Sequence, residues 1–248
     1  MKRLLILLVL SIFLGCNSEN APDCFQKSGT IIEQEFEVEP FSEITVWEGV
    51  QLYIQEGETQ KIVVKTGENL LNDIEIYVIN DEVHLKNNNH CNYFRDYEIT
   101  KIYITSPNIT KIRNSSSFEI FSIGVLHYPE LTLYSEDFLN DQYHIDGYFN
   151  LQLEVNKLTI VSNGFSNFTL SGTANQANFG LYASSTRIDA GDLLVQDLKI
   201  FHRSINKMIV NPQQSITGKI VSVGNVISKN HPTIVEVEEL FQGKLIFE

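Results

Sequence analysis

The chain has 248 residues, 43% hydrophobic and 20% charged, enough to bury a sizeable core. Its formal net charge of −13 is repelled by phosphate backbones, so nucleic acid is excluded as an expected partner. Long helical periodicity is absent, which excludes a helix-bearing domain.

The first segment sets the compartment. Met1-Lys2-Arg3 is positive, a mainly apolar run follows from Leu4 to Leu14, and the run is too short to span a bilayer. It ends in Leu14-Gly15-Cys16, which resembles a bacterial lipobox. That resemblance implies a signal peptide over 1–15, lipid on the Cys16 thiol, and anchorage to the outer membrane of the cell envelope, facing the periplasm or the surface. A plain secretory signal with an incidental Cys16 is the alternative. The two thiols that remain, Cys24 and Cys91, can form one intramolecular bridge in an exported chain, or stay as two free buried thiols.

Residues 16–30 are polar and aperiodic and read as a tether. From Ile31 to 248 the pattern is period two, read as one domain. Val50 to Ile54 alternates cleanly; Gly57 turns the chain into Ile62-Val63-Val64; Gly67 to Leu71 breaks it with about one helical turn. Ile74, Ile76 and Val78 should pair with Val83 and Leu85 across Asn80-Asp81. Strands resume at Ile99, and Asp137 to Gly147 looks like an insertion.

Beyond Lys157 the chain repeats itself. Leu158, Phe179, Leu198 and Ile220 open one series, and Phe168, Ile188 and Met208 a second, both at steps near 20 residues. Small polar corners such as Ser162-Asn163-Gly164 and Arg203-Ser204 separate them. A period near 20 with short strands predicts an all-β, parallel β-helix-like solenoid. Inward Leu158, Phe168, Phe179, Ile188, Leu198 and Met208 would stack coil on coil, each burial worth roughly 1.5–3 kcal/mol. The tail from Thr233 should pair at the end as a cap. A sandwich or barrel of equal strand count is the competing fold.

Several segments carry a family resemblance: Phe41-Ser42-Glu43-Ile44-Thr45-Val46 with Gly49 to Gln55, Val63 to Leu70, Ile102-Tyr103-Ile104 to Asn114-Ser115-Ser116, and His202-Arg203-Ser204 to Gln214. Over most of 31–248 the chain resembles the bacterial head GIN domain family, described as putative auto-transporter adhesins and a domain of unknown function. Ser162 to Ser166 is a loose version of the family's corner, and 137–147 departs from it. The resemblance implies a right-handed β-helix-like fold and an exported lipoprotein of Bacteroidetes type, and it carries over no catalytic residues.

No nucleophile elbow, zinc helix, phosphate loop or dinucleotide fingerprint is present. The expectation is therefore a non-catalytic module with no cofactor and no metal, the six histidines lying at the surface or in corners. The runner-up is a glycan-processing enzyme using Asp137, Asp141 and Asp146, which would need two carboxyls about 5–9.5 Å apart; a structural envelope accessory is the third reading. Tyr93, Phe94, Tyr97, Tyr128, Tyr134, Tyr143 and Tyr148 crowd one region and form the candidate surface for a glycan or an envelope protein.

Overall fold

Alternation sends every second side chain to one face, and short strands can bury that face only against other strands. The computed structural model describes residues 23–89, 91–93, 96, 99–183 and 185–248; the leader 1–15, Cys16, Phe94 and Tyr97 lie outside them. A 3-10 helix over Asp23–Phe25 precedes β1 (Ile31–Phe36), β2 (Glu43–Val46), β3 (Gln51–Glu56) and β4 (Lys61–Gly67). After a second 3-10 helix, Glu68–Asp73, come β5 (Ile74–Ile79), β6 (Glu82–Asn87), β7 (Lys101–Ser106), β8 (Lys111–Asn114), β9 (Glu119–Leu126) and β10 (Glu130–Ser135). Four long strands follow, β11 (Tyr148–Ser162), β12 (Asn167–Leu181), β13 (Arg187–His202) and β14 (Met208–Ile220), then β15 (Val226–Ser228), β16 (Ile234–Glu239) and β17 (Leu245–Phe247).

The strands join into one mixed sheet of 17 strands, nearly closed and barrel-like around a single core. Two parallel ladders make up most of it. One runs β6, β2, β8, β10, then the second halves of β11 to β14, then β16. The other runs β7, β3, β9, then the first halves of β11 to β14, then β15 and β17. The long strands belong to both ladders and tie them together. Lys157 lies beside Gln176, Gln176 beside Asp197, Asp197 beside Ser215 and Ser215 beside Ile234, at steps of 19, 21, 18 and 19 residues.

The all-β expectation holds, but the parallel β-helix-like solenoid expected from the sequence is not what the strands form: the sheet is mixed and nearly closed. Three pairings, β1–β4, β4–β7 and β5–β6, are antiparallel. The cause at β5–β6 is local. Asn80 and Asp81 both have positive φ (50° and 69°), so a two-residue hairpin returns the chain before a coil can be completed. The insertion at 136–147 shows as a longer step, Glu130 beside Lys157.

The six inward residues read from the sequence are all buried. Phe168, Ile188 and Met208 are in register as read, and Phe149 stacks on Phe168 with ring centres 4.6 Å apart. In the other series Leu158 lies beside Ala177, and Phe179 beside Ile160. That slip of two residues keeps the same face inward, because the side-chain period is two. The buried hydroxyls bond from one corner to the next: Ser135 with Ser166, Ser162 with Thr186 at 2.7 Å, and Ser204 to the Thr186 carbonyl at 2.7 Å. Nothing apolar could satisfy the backbone there.

Two expectations are corrected. The tether does not extend to residue 30. Cys24 is joined to Cys91 by a disulfide, Gln26 is buried with its amide donating to the Asn69 carbonyl at 2.9 Å, and β1 pairs with β4. His202 is not a surface or corner residue; it is fully buried, between Leu181 and Ile220 in register. The tail does pair at the end: β16 lies along β14 and β17 along β15.

Candidate functional site

The segment 136–147 leaves β10 and folds back over the neighbouring corners. Glu136 is buried beside Arg113, whose Nη2 is 2.6 Å from Glu136 Oε1 and whose Nη1 donates to the Glu136 carbonyl at 2.7 Å. Asn163 donates to Asp137 at 2.6 Å, Ser117 to Asp146 at 2.9 Å, and the His144 amide to Ser115 Oγ at 2.8 Å. These bonds hold the segment on both sides.

Arg113 also begins a column of rings. Its guanidinium lies 5.0 Å from the ring centre of Tyr134 and 4.1 Å from that of Tyr143. Such cation–π contacts are worth about 0.5–2 kcal/mol each. Tyr143 meets Trp47 at 5.2 Å, Trp47 meets His84 at 6.2 Å, and His84 meets Tyr77 at 5.0 Å. Register builds this order, since Thr45 lies between His84 and Arg113, and Arg113 beside Tyr134. Trp47 Nε1 donates to His84 Nδ1 at 3.2 Å, which leaves the proton of a neutral imidazole on Nε2. Burial holds the His84 pKa below its ordinary value; Lys111 adds to this and Glu82 opposes it. Burial raises the Tyr77 phenol, with Glu75 and Tyr143 adding to the effect.

The column borders a depression of about 410 Å³ lined by Trp47, Glu48, Tyr77, Lys86, Gln142 and His144. Asn87 also lines it, and with Glu48 it borders a second hollow of about 500 Å³ beside Cys91, Asn92 and Ser116. Aromatic edges next to amide, carboxylate and ammonium groups suit a ligand with both apolar faces and hydroxyls.

The candidate tyrosines read from the sequence part company. Tyr93 and Tyr148 are exposed, while Tyr134 and Tyr143 are half-buried on Arg113. Tyr128 is corrected: it is fully buried, its hydroxyl donates to the Ser106 carbonyl at 3.3 Å, and burial drives its pKa far up. Phe94 and Tyr97 lie outside the described residues. The sequence reading missed Trp47, Tyr77, His84 and Arg113, which are far apart in the chain; their outward position on alternating strands was the only signal. Neither hollow is lined by Asp137, Asp141 or Asp146. Among the described residues no group of three or more His, Cys, Asp or Glu side chains gathers to hold a metal ion. Nor is any helix there long and apolar enough to cross a membrane.

Sequence comparison matches residues 40–232 to a family model described as "Putative auto-transporter adhesin, head GIN domain". No curated protein matches the chain by sequence. Among solved structures, a "putative adhesin" of Bacteroides fragilis NCTC 9343 has a TM-score of 0.77 at 20% identity, covering 90% of this chain and 99% of its own. A "putative adhesin" of Parabacteroides merdae ATCC 43184 scores 0.63 at 15% identity, over 90% and 98%. A "putative lipid binding protein" of Parabacteroides distasonis ATCC 8503 scores 0.58 at 15% identity, over 88% and 97%. At these identities the likeness is one of fold.

Proposed function

The chain belongs to the head GIN domain family of putative auto-transporter adhesins, and from that premise we infer an adhesin-like binding module of the cell envelope that takes a glycan in the Trp47 depression. The carrying observation is the ring column from Tyr134 to Tyr77, which ends at a hollow offering Glu48, Lys86, Asn87, Gln142 and His144 as hydrogen-bonding groups. A sugar ring presents C–H faces to aromatics and hydroxyls to such groups. The module is non-catalytic in this reading, since among the described residues lining the hollow Glu48 is the single acid and no carboxylate pair faces it.

The leader and Cys16 carry the rest. Lipid on Cys16 anchors the module to the outer membrane, and the parallel run coils right-handed, as crossovers between parallel strands do. Cys16→Ser should release the protein from membranes, and continued membrane fractionation would refute the anchor.

A glycan array followed by titration of Trp47 fluorescence tests the site, Trp47 being the single tryptophan. Binding should drop at least about tenfold in Trp47→Ala, as loss of an aromatic anchor predicts, and by about two- to tenfold in Gln142→Ala, as loss of one hydrogen bond predicts. Absence of any glycan ligand, or affinity indifferent to both changes, sinks the reading; an envelope protein captured at the same hollow would replace the glycan.

A further inference from the structure

Five corners join the two ladders along one edge of the sheet: those between β11 and β12, β12 and β13, β13 and β14, β14 and β15, and β16 and β17. Each carries an exposed apolar side chain: Phe165, Tyr182, Ile205, Val223 and Phe241 are between 39% and 63% exposed. Leu139, in the longer corner above them, is 98% exposed. Strands stack about 4.8 Å apart, so the five corners make a row about 20 Å long.

Charge is sorted along the same edge. In a chain of net charge −13, these five corners contain Arg203, Lys207 and Lys244 and no acidic residue. Lys244 bonds Glu239 at 2.9 Å, while Arg203 and Lys207 are exposed. The opposite edge, where the long strands bend, is lined by amides. Asn175 donates to Asn156 at 3.0 Å and Gln214 to Gln196 at 3.2 Å. Over these five corners the edge is apolar and cationic, while the longer corner 136–147 carries Glu136, Asp137, Asp141 and Asp146; the opposite edge carries amides.

We propose that the corner edge docks on a lipid bilayer, with its apolar side chains at headgroup depth and Arg203 and Lys207 among anionic headgroups. A row of single apolar residues flanked by cations suits an interface of that kind, since the cations snorkel while the apolar groups insert. The start of the described chain supports this. Cys91, bonded to Cys24, borders a hollow with Gly49, Ser116 and Phe118, which belong to the equivalent corners after β2 and β8. Phe25 and Tyr93 lie exposed there with ring centres 5.9 Å apart. The chain preceding Cys24 therefore joins the fold at this same edge. Seven residues separate Cys16 from Cys24, eight Cα–Cα steps that reach at most about 30 Å when extended. The proposal rests on the reading of Cys16 as lipidated: such an anchor holds this edge, and not the amide edge, towards the membrane.

The test uses the lipidated full-length protein carrying one added cysteine at a time, Phe165→Cys, Ile205→Cys, Phe241→Cys or, on the amide edge, Asn175→Cys, each labelled with a fluorophore. Cys24 and Cys91 are already bonded, so the added thiol takes the label. Vesicles of phosphatidylethanolamine and phosphatidylglycerol with a nitroxide quencher confined to the acyl region are the probe. Emission should fall about twofold at 165, 205 and 241 and stay unchanged at 175, as burial of the edge to headgroup depth requires. Protein that floats with the vesicles yet keeps full emission at all four positions overturns the docking edge and leaves the anchor standing. Protein that does not float overturns both. Labels equally shielded in detergent, on a protein that migrates as an oligomer, assign the edge to a second copy and overturn the bilayer.

Discussion

Arg113 and Glu136 face each other from β8 and from the start of the segment that follows β10, with Nη2 2.6 Å from Oε1 and both side chains almost wholly buried. The pair joins the parallel ladder to the segment 136–147, and the same guanidinium carries Tyr134 and Tyr143. Removing one partner leaves a buried charge without compensation. Arg113→Ala should therefore cost about 3–5 kcal/mol, and Glu136→Gln less, because an amide oxygen still accepts. Chemical denaturation measures the first effect. Proteolysis confined to 137–146 would show that the segment has come loose, and a variant with wild-type stability would show that the pair contributes nothing.

The Cys24–Cys91 bridge spans 67 residues and fastens the start of the described chain. Constraining a loop of that length in the unfolded state is worth about 4 kcal/mol. Reduction, or Cys24→Ser with Cys91→Ser, should lower Tm and expose residues 24–30, which lie against Glu68 and Asn69. Thermal melts with and without reductant decide this; unchanged melting contradicts it.

His202 gives the fold an acid limit. It is fully buried, both ring nitrogens lack a hydrogen-bond partner, and the amides of Asn206 and Gly224 point to Ser204 instead. Burial lowers its pKa from about 6.5 to about 4. The unfolded chain therefore binds the extra proton first as pH falls. Stability from this group is complete above about pH 6.5 and disappears as pH falls towards about 4, a loss of about 3 kcal/mol. In His202→Leu the position resembles its neighbours Leu181 and Ile220, and the loss between pH 6.5 and 4 should shrink accordingly. Denaturation midpoints over that range are the measurement; identical slopes in both proteins would exclude His202 as the cause.

Phe168 tests the inward stack. Its ring lies parallel to Phe149 at 4.6 Å and beside Ile188. Phe168→Ala should cost about 3–5 kcal/mol, since removing a buried ring leaves a cavity as well as losing transfer energy. Phe165→Ala, in the exposed corner three residues earlier, should change stability by no more than about 0.5 kcal/mol. Comparable losses at both positions would mean that the inward and outward faces are wrongly placed.

Gly218 lies where β14 approaches β13 closely. Its φ is +127°, and a Cβ there would lie 1.9 Å from the Ile200 carbonyl oxygen. Gly218→Ala should fail to fold or should unfold by several kcal/mol more readily than wild type. Recovery of a fully stable Gly218→Ala protein would show that the neighbouring strand can yield there.

Alternation and a step near 20 residues were readable because they follow from two local constraints: strands turn every second side chain inward, and tight corners need small residues. Phe168, Ile188 and Met208 showed this directly. Leu158 and Phe179 showed its limit, since a shift of two residues leaves the inward face unchanged and is silent in the pattern. The expected leader, the lipobox resemblance and the family resemblance likewise lie in contiguous residues and needed no coordinates. Closure of the sheet, the burial of Tyr128 and His202, the column of Arg113 with Tyr143, Trp47, His84 and Tyr77, and the separation of an apolar corner edge from an amide edge were decided only by tertiary structure. Each depends on which strand lies beside which, and parallel register joins residues tens of positions apart, a distance at which local propensity carries no information.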